Sequence, residues 1–112
     1  MLRTLKKWVN RLIEARKARV ATRAILSVLS SNMTHSIAKY GRGDKLHICV
    51  LTKHRIPIMQ KTVVVASIKS RAKYMGLKPT DWTLRIYGEK EFKRKGLYKF
   101  ITRTGVFLYT SK

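Results

Sequence analysis

Three arginines near the amino terminus, Arg16, Arg19 and Arg23, have the spacing that most clearly suggests chemistry. Separations of three and four residues place them on one side of a helix. A guanidinium group is planar and offers several N–H donors, so a row of them suits phosphate contacts. The alternative is an ordinary solvated face, but only 5 acids oppose 26 Lys and Arg in the chain. We therefore interpret the row as a phosphate-binding surface.

Further basic side chains recur through the rest of the chain, outside the apolar positions of their segments, and are candidates for the same surface. They are Lys69, Arg71, Lys73, Lys90, Lys93, Arg94, Lys95, Lys99 and Arg103. Tyr98 and Tyr109 lie in an aromatic segment near the carboxyl terminus and could stack on unpaired bases. The alternative is that these aromatic side chains form the core face of a sheet.

Metal binding and catalysis have few candidate residues. His47, Cys49 and His54 are irregularly spaced and lack the second cysteine pair of a typical zinc site. We predict no metal and no cofactor, and a strand with a buried thiol at Cys49. The acids form no spaced pair, and no Ser/His/Asp or Cys/His group stands out, so we predict that the protein is not an enzyme.

The central segment carries the clearest structural pattern. Apolar residues at helical spacing predict a helix over residues 62–75 that ends at Gly76 and cannot resume at Pro79. Strict alternation over residues 82–87 then predicts a half-buried strand. The competing interpretation is a helix-turn-helix centred on Ala72, Gly76 and Leu77.

The flanking segments complete the predicted fold. Residues 2–30 lack Pro and Gly, which predicts a long helix. Its apolar side shifts partway along, so the helix is expected to bend, to split, or to face two bodies. Residues 33–40 are expected to add one or two helical turns, residues 46–52 a strand, and residues 96–110 a hairpin.

These elements predict an α+β fold, with a long basic amino-terminal helix and a central helix packed on a small antiparallel sheet that ends in a hairpin. A winged helix-turn-helix is the alternative. We divide the chain into a basic helical arm at residues 1–31 and a small α+β domain at residues 32–112. One cysteine excludes an internal disulfide and fits a reducing compartment, so a cytoplasmic location is favoured over a mitochondrial one.

The net charge of +21 dominates the functional prediction. Such an excess repels itself unless a polyanion relieves it, so we predict a non-catalytic nucleic-acid-binding protein that contacts backbone phosphates. RNA or a ribonucleoprotein assembly is slightly favoured over DNA. Three alternatives stay open: a helix-turn-helix DNA-binding regulator, an anionic membrane surface bound through residues 1–13, and a basic inhibitor of an acidic protein.

Overall fold

A mixed four-stranded sheet lies at the centre of the fold. The computed structural model describes residues 2–30, 32–40, 46–88 and 105–110. In chain order the elements are α1 (Leu2–Val28), β1 (Thr34–Tyr40), β2 (Leu46–Thr52), α2 (Ile58–Tyr74), a 3-10 turn (Pro79–Asp81), β3 (Trp82–Gly88) and β4 (Val106–Thr110). The strand order across the sheet is β3-β2-β1-β4. The predicted α+β class is confirmed.

The sheet departs from the prediction in one respect, because it is not wholly antiparallel. β1 pairs antiparallel with β2 on one side and with β4 on the other. β2 and β3 run parallel, with Leu46 opposite Trp82 and Thr52 opposite Gly88. Parallel neighbours need a crossover connection, and α2 supplies it between these two strands.

Helix α2 ends as its sequence predicts. Gly76 adopts a φ of 102°, a left-handed conformation that an L side chain rarely takes. The Gly76 N–H donates to the Lys73 carbonyl at 3.0 Å, and the Leu77 N–H donates to the Ala72 carbonyl at 2.8 Å. This paired bonding satisfies carbonyls that the helix end would leave unpaired. The helix begins at Ile58, directly after Pro57 and four residues before its predicted start.

The segment after α2 excludes the helix-turn-helix alternative. Residues 82–88 form strand β3, with Trp82 and Ile86 buried. A second helix would have to occupy these positions, so the winged helix-turn-helix interpretation is wrong.

The expected helical turns at residues 33–40 are also wrong, because this segment is strand β1, which is hydrogen-bonded on both sides. Of the predicted hairpin at residues 96–110, residues 96–104 lie outside the described part of the chain.

The main core lies between the two helices and one face of the sheet. The sheet contributes Ile37, Ile48, Val50 and Ile86, all of which are almost fully buried. The helices contribute a second set of buried side chains: Ala18, Ala21, Ala24, Ile25, Ile68 and Ala72. The opposite sheet face carries a smaller cluster around Ala38, Tyr40 and Cys49. Alternation of side chains along each strand separates the two clusters.

Helix α1 is continuous over 27 residues, so it spans about 40 Å. Its carboxyl-terminal half packs in the main core, whereas every described side chain from residue 4 to residue 16 is exposed. The amino-terminal half therefore projects from the body. The division at residue 31 stays a prediction. Among the described residues, neither helix combines the length and the apolarity required to cross a bilayer.

Candidate functional site

The predicted arginine row lies on the exposed side of α1. Arg16, Arg19 and Arg23 are all exposed. Within the described residues the acids are Glu14 and Asp81, and Glu14 lies on the opposite side of the helix at about 100° per residue. The row therefore faces solvent without a carboxylate beside it on α1.

Two of these arginines border an open groove between α1 and the sheet, with a volume of about 670 Å³. Lys39 of β1, which is half-buried, supplies a third positive charge. We refer to the basic groove as the space lined by Ala15, Ala18, Arg19, Thr22, Arg23, Lys39 and Leu108. The Thr22 hydroxyl donates to the Ala18 carbonyl at 2.8 Å. The charged N–H groups of Arg19, Arg23 and Lys39 are therefore the strongest donors of the lining.

Arg16 does not join this groove. It borders a smaller space of about 270 Å³ between α1 and the end of α2, together with Lys17, Met75 and Gly76. The structure thus brings together Arg19, Arg23 and a residue that sequence reasoning missed, Lys39. The sequence predicts helical turns over residues 33–40, whereas the segment forms the central strand β1, and this strand brings Lys39 to the groove.

The projecting half of α1 carries a row of exposed apolar side chains. We refer to Leu5, Trp8, Val9, Leu12 and Ile13 as the apolar stripe; each exposes between 41% and 64% of its surface. At about 100° per residue, the centre of the stripe lies about 180° around the helix from the side that packs in the core. The helix therefore leaves most of this stripe unburied, while Ile13, at its end, borders the space between α1 and the end of α2.

The predicted basic residues of α2 line neither of the two spaces that the arginine row borders. The Lys69 amine donates to the carbonyls of Pro79 and Trp82 and lies 4.6 Å from the centre of the Trp82 ring. Lys69 therefore has a structural position at the turn after α2. Arg71 and Lys73 are exposed in the last turn of the helix, where positive charge complements the helix dipole.

The carboxyl-terminal candidates are mostly outside the described residues. This applies to Lys90, Lys93, Arg94, Lys95, Tyr98, Lys99 and Arg103. Tyr109 is described: it is half-buried in β4 and packs against the main core. Its position matches the alternative in which these aromatic side chains build the sheet rather than stack on bases.

The thiol of Cys49 lies on the sheet face away from the helices and is held in its neutral form, which is a poor nucleophile. Burial raises the pKa of the Cys49 thiol from an ordinary 9.0 to about 12, while the charge of Arg85 lowers it by less. His47 shares a 2.7 Å hydrogen bond between its Nδ1 and the Thr83 hydroxyl. Within the described ranges, no three His, Cys, Asp or Glu side chains are close enough together to hold a metal ion.

Comparison with known proteins gives a structural match without a sequence match. No family model matches the chain, and no curated protein matches it. The fold is similar to a chain in the solved structure of a tri-AMPylated Shewanella oneidensis HEPN toxin in complex with an MNT antitoxin. The TM-score is 0.54 at 14% identity, over 83% of this chain and 72% of that chain. At this identity the likeness shows the fold alone.

This match contradicts the function predicted from the sequence. The similar chain belongs to a toxin–antitoxin complex, in which its partner is a protein rather than a nucleic acid. The prediction of a nucleic-acid-binding function is therefore wrong. The physical reason is that positive charge attracts any anionic surface, and carboxylate-rich protein surfaces meet that condition as well as phosphates do.

Proposed function

We propose that this chain is the binding component of a toxin–antitoxin-like pair and that it contacts its partner protein through the projecting half of α1. Its role is to bind rather than to catalyse. The likeness to a chain from a two-protein complex supports this assignment. The buried, protonated Cys49 thiol and the scarcity of acids in the described residues favour binding over chemistry.

The apolar stripe is the observation that carries the proposal. Five large side chains, including Trp8, are exposed over about two and a half helical turns. Burial of apolar surface contributes about 25 cal/mol per Å², so covering the stripe would provide much of the driving force for association. Trp is among the residues that most often dominate binding energy. An amphipathic helix in an apolar groove is a common mode of protein recognition.

The charges around the stripe favour an acidic partner surface. At about 100° per residue, Lys6 and Arg11 lie along its two edges, whereas Lys7 lies on the opposite side of the helix. Glu14 is the one acid between residues 4 and 16. Against a second copy of this helix, like charges would oppose each other. A partner groove bordered by Asp and Glu would complement them, which both accelerates encounter and disfavours wrong partners.

The proposal is tested by co-expression of the chain with the products of the genes that flank its own. A complex of defined mass, measured by light scattering after gel filtration, is the expected result. Growth should differ between expression of one protein and of both. The variant Trp8→Ala/Leu12→Ser should weaken the complex by about 100-fold, as expected for two central contacts.

The matched control is Ile58→Ser/Met59→Ala, which removes two apolar side chains that are 72% and 85% exposed at the start of α2. This variant should bind the partner normally. The proposal fails if no flanking product forms a complex. It also fails if the two variants weaken the complex equally.

A further inference from the structure

The basic groove lies next to the carboxyl-terminal end of the apolar stripe on α1. We propose that this groove holds an acidic peptide segment of the partner, with its carboxylates on Arg19, Arg23 and Lys39. This inference rests on the proposed function, and it adds a second contact site of different chemistry. The volume of the basic groove, about 670 Å³, lies in the usual range for ligand sites and accommodates several side chains.

The lining has the composition of an anion site. Among the described lining residues, three positive side chains come from two elements, α1 and β1. The described acids, Glu14 and Asp81, do not line the groove. Each guanidinium group can bind a carboxylate through two parallel hydrogen bonds. The Lys39 ammonium adds a point charge at the end of a half-buried side chain on β1.

Continuity with the apolar stripe favours a peptide over a free anion. Trp8, Leu12, Ala15 and Arg19 are spaced by four, three and four residues, which places them in one row along α1. The row therefore runs from the apolar stripe into the basic groove. A segment with apolar residues at one end and acids at the other would contact both regions, whereas a single anion would contact only the second.

The test uses fluorescence anisotropy with the full chain and two labelled peptides. One has a Leu/Phe half followed by a Glu-rich half, and the other carries Gln in place of each Glu. The Glu peptide should bind about tenfold tighter, since each of three exposed ion pairs contributes a factor of about 1.4–5. An RNA oligonucleotide of equal charge and inorganic phosphate serve as the competing anions.

Two charge-matched variants locate the site. Arg19→Gln/Arg23→Gln/Lys39→Gln should weaken binding of the Glu peptide by about tenfold. Arg71→Gln/Lys73→Gln/Lys78→Gln removes three exposed charges that do not line the groove and should change binding by less than about threefold. Circular dichroism confirms that each variant is folded.

Three results would overturn the inference: equal weakening by the two triple variants, equal affinity for the two peptides, or tighter binding of the RNA. Co-expression separates this inference from the proposed function. If the groove variant retains full affinity for the partner while the stripe variant loses it, the acidic segment is refuted and the proposed function stands. If no partner is found but the groove binds the Glu peptide selectively, the acidic recognition stands and the proposed function fails.

Discussion

At the scale of single residues, Lys69 shows that a charged side chain off the apolar side of a helix can be structural. Its amine bonds two carbonyls after α2 and stacks on Trp82. Lys69→Met leaves these carbonyls without that donor, so the free energy of unfolding should fall by about 1–3 kcal/mol. The exposed Lys73→Met should change it by less than about 0.5 kcal/mol. Urea unfolding measures the free energy of unfolding of both variants. Equal decreases would show that the contacts of Lys69 do not stabilise the fold.

Cys49 gives a prediction that depends on pH. Burial raises its pKa from 9.0 to about 12, so the folded state retains a proton that the unfolded state releases. The stability contributed by the neutral thiol is complete below pH 9 and is lost as the pH rises towards 12. Between these limits the free energy of unfolding should fall less steeply in Cys49→Ala than in the original chain. Parallel slopes in pH-dependent unfolding would contradict this.

At the scale of elements, the two halves of α1 should differ in local stability. Isolated helices of fewer than about 12–15 residues are marginal in water, and the half that includes residues 4–16 buries no side chain. Amide hydrogens of residues 5–14 should exchange much faster than those of residues 19–28, which lie beside the buried Ala21 and Ile25. Hydrogen exchange with mass spectrometry tests this, and equal protection would show that the projecting half is stabilised by other contacts.

The elements also show which signals a sequence carries. The helix before Gly76 and the strand from Trp82 were predictable because apolar spacing and a left-handed stop are local properties. The parallel pairing of β2 with β3 depends on a crossover, which local alternation does not encode. The order of elements does indicate parallel pairing, because helix α2 stands between β2 and β3 in the chain. Strand β1 was missed because its central place in the sheet comes from its two neighbours, and Lys39 was missed with it.

At the scale of the whole molecule, net charge indicates an anionic partner without identifying its chemistry. The arrangement of charge is more informative: Arg19 and Arg23 share a groove with Lys39, while Arg16 faces another space. Sequence spacing predicted the arginine row but not this division, because the positions of the sheet and of α2 relative to α1 are tertiary features. The apolar stripe was visible in the sequence, but its exposure became evident only from the packing of Ala18 and Ile25.

The same arrangement predicts how salt affects stability. A charge of +21 opposes compaction, and three like charges around one groove concentrate that repulsion. In about 20 mM NaCl, the triple Gln variant at Arg19, Arg23 and Lys39 should therefore unfold with a free energy higher by on the order of 1 kcal/mol, the size of a close like-charge contact in water. In the triple Gln variant at Arg71, Lys73 and Lys78 the free energy of unfolding should rise by less. Its substitutions also remove the favourable interaction of Arg71 and Lys73 with the dipole of α2.

In about 500 mM NaCl this difference should disappear, since the screening length falls below about 8 Å. Urea unfolding followed by the fluorescence of Trp82, which is buried in the main core, measures both variants at each salt concentration. If the free energy of unfolding rises equally in the two triple Gln variants at low salt, the groove does not concentrate the charge repulsion. A difference that persists at high salt would assign the gain to packing of the Gln side chains rather than to charge.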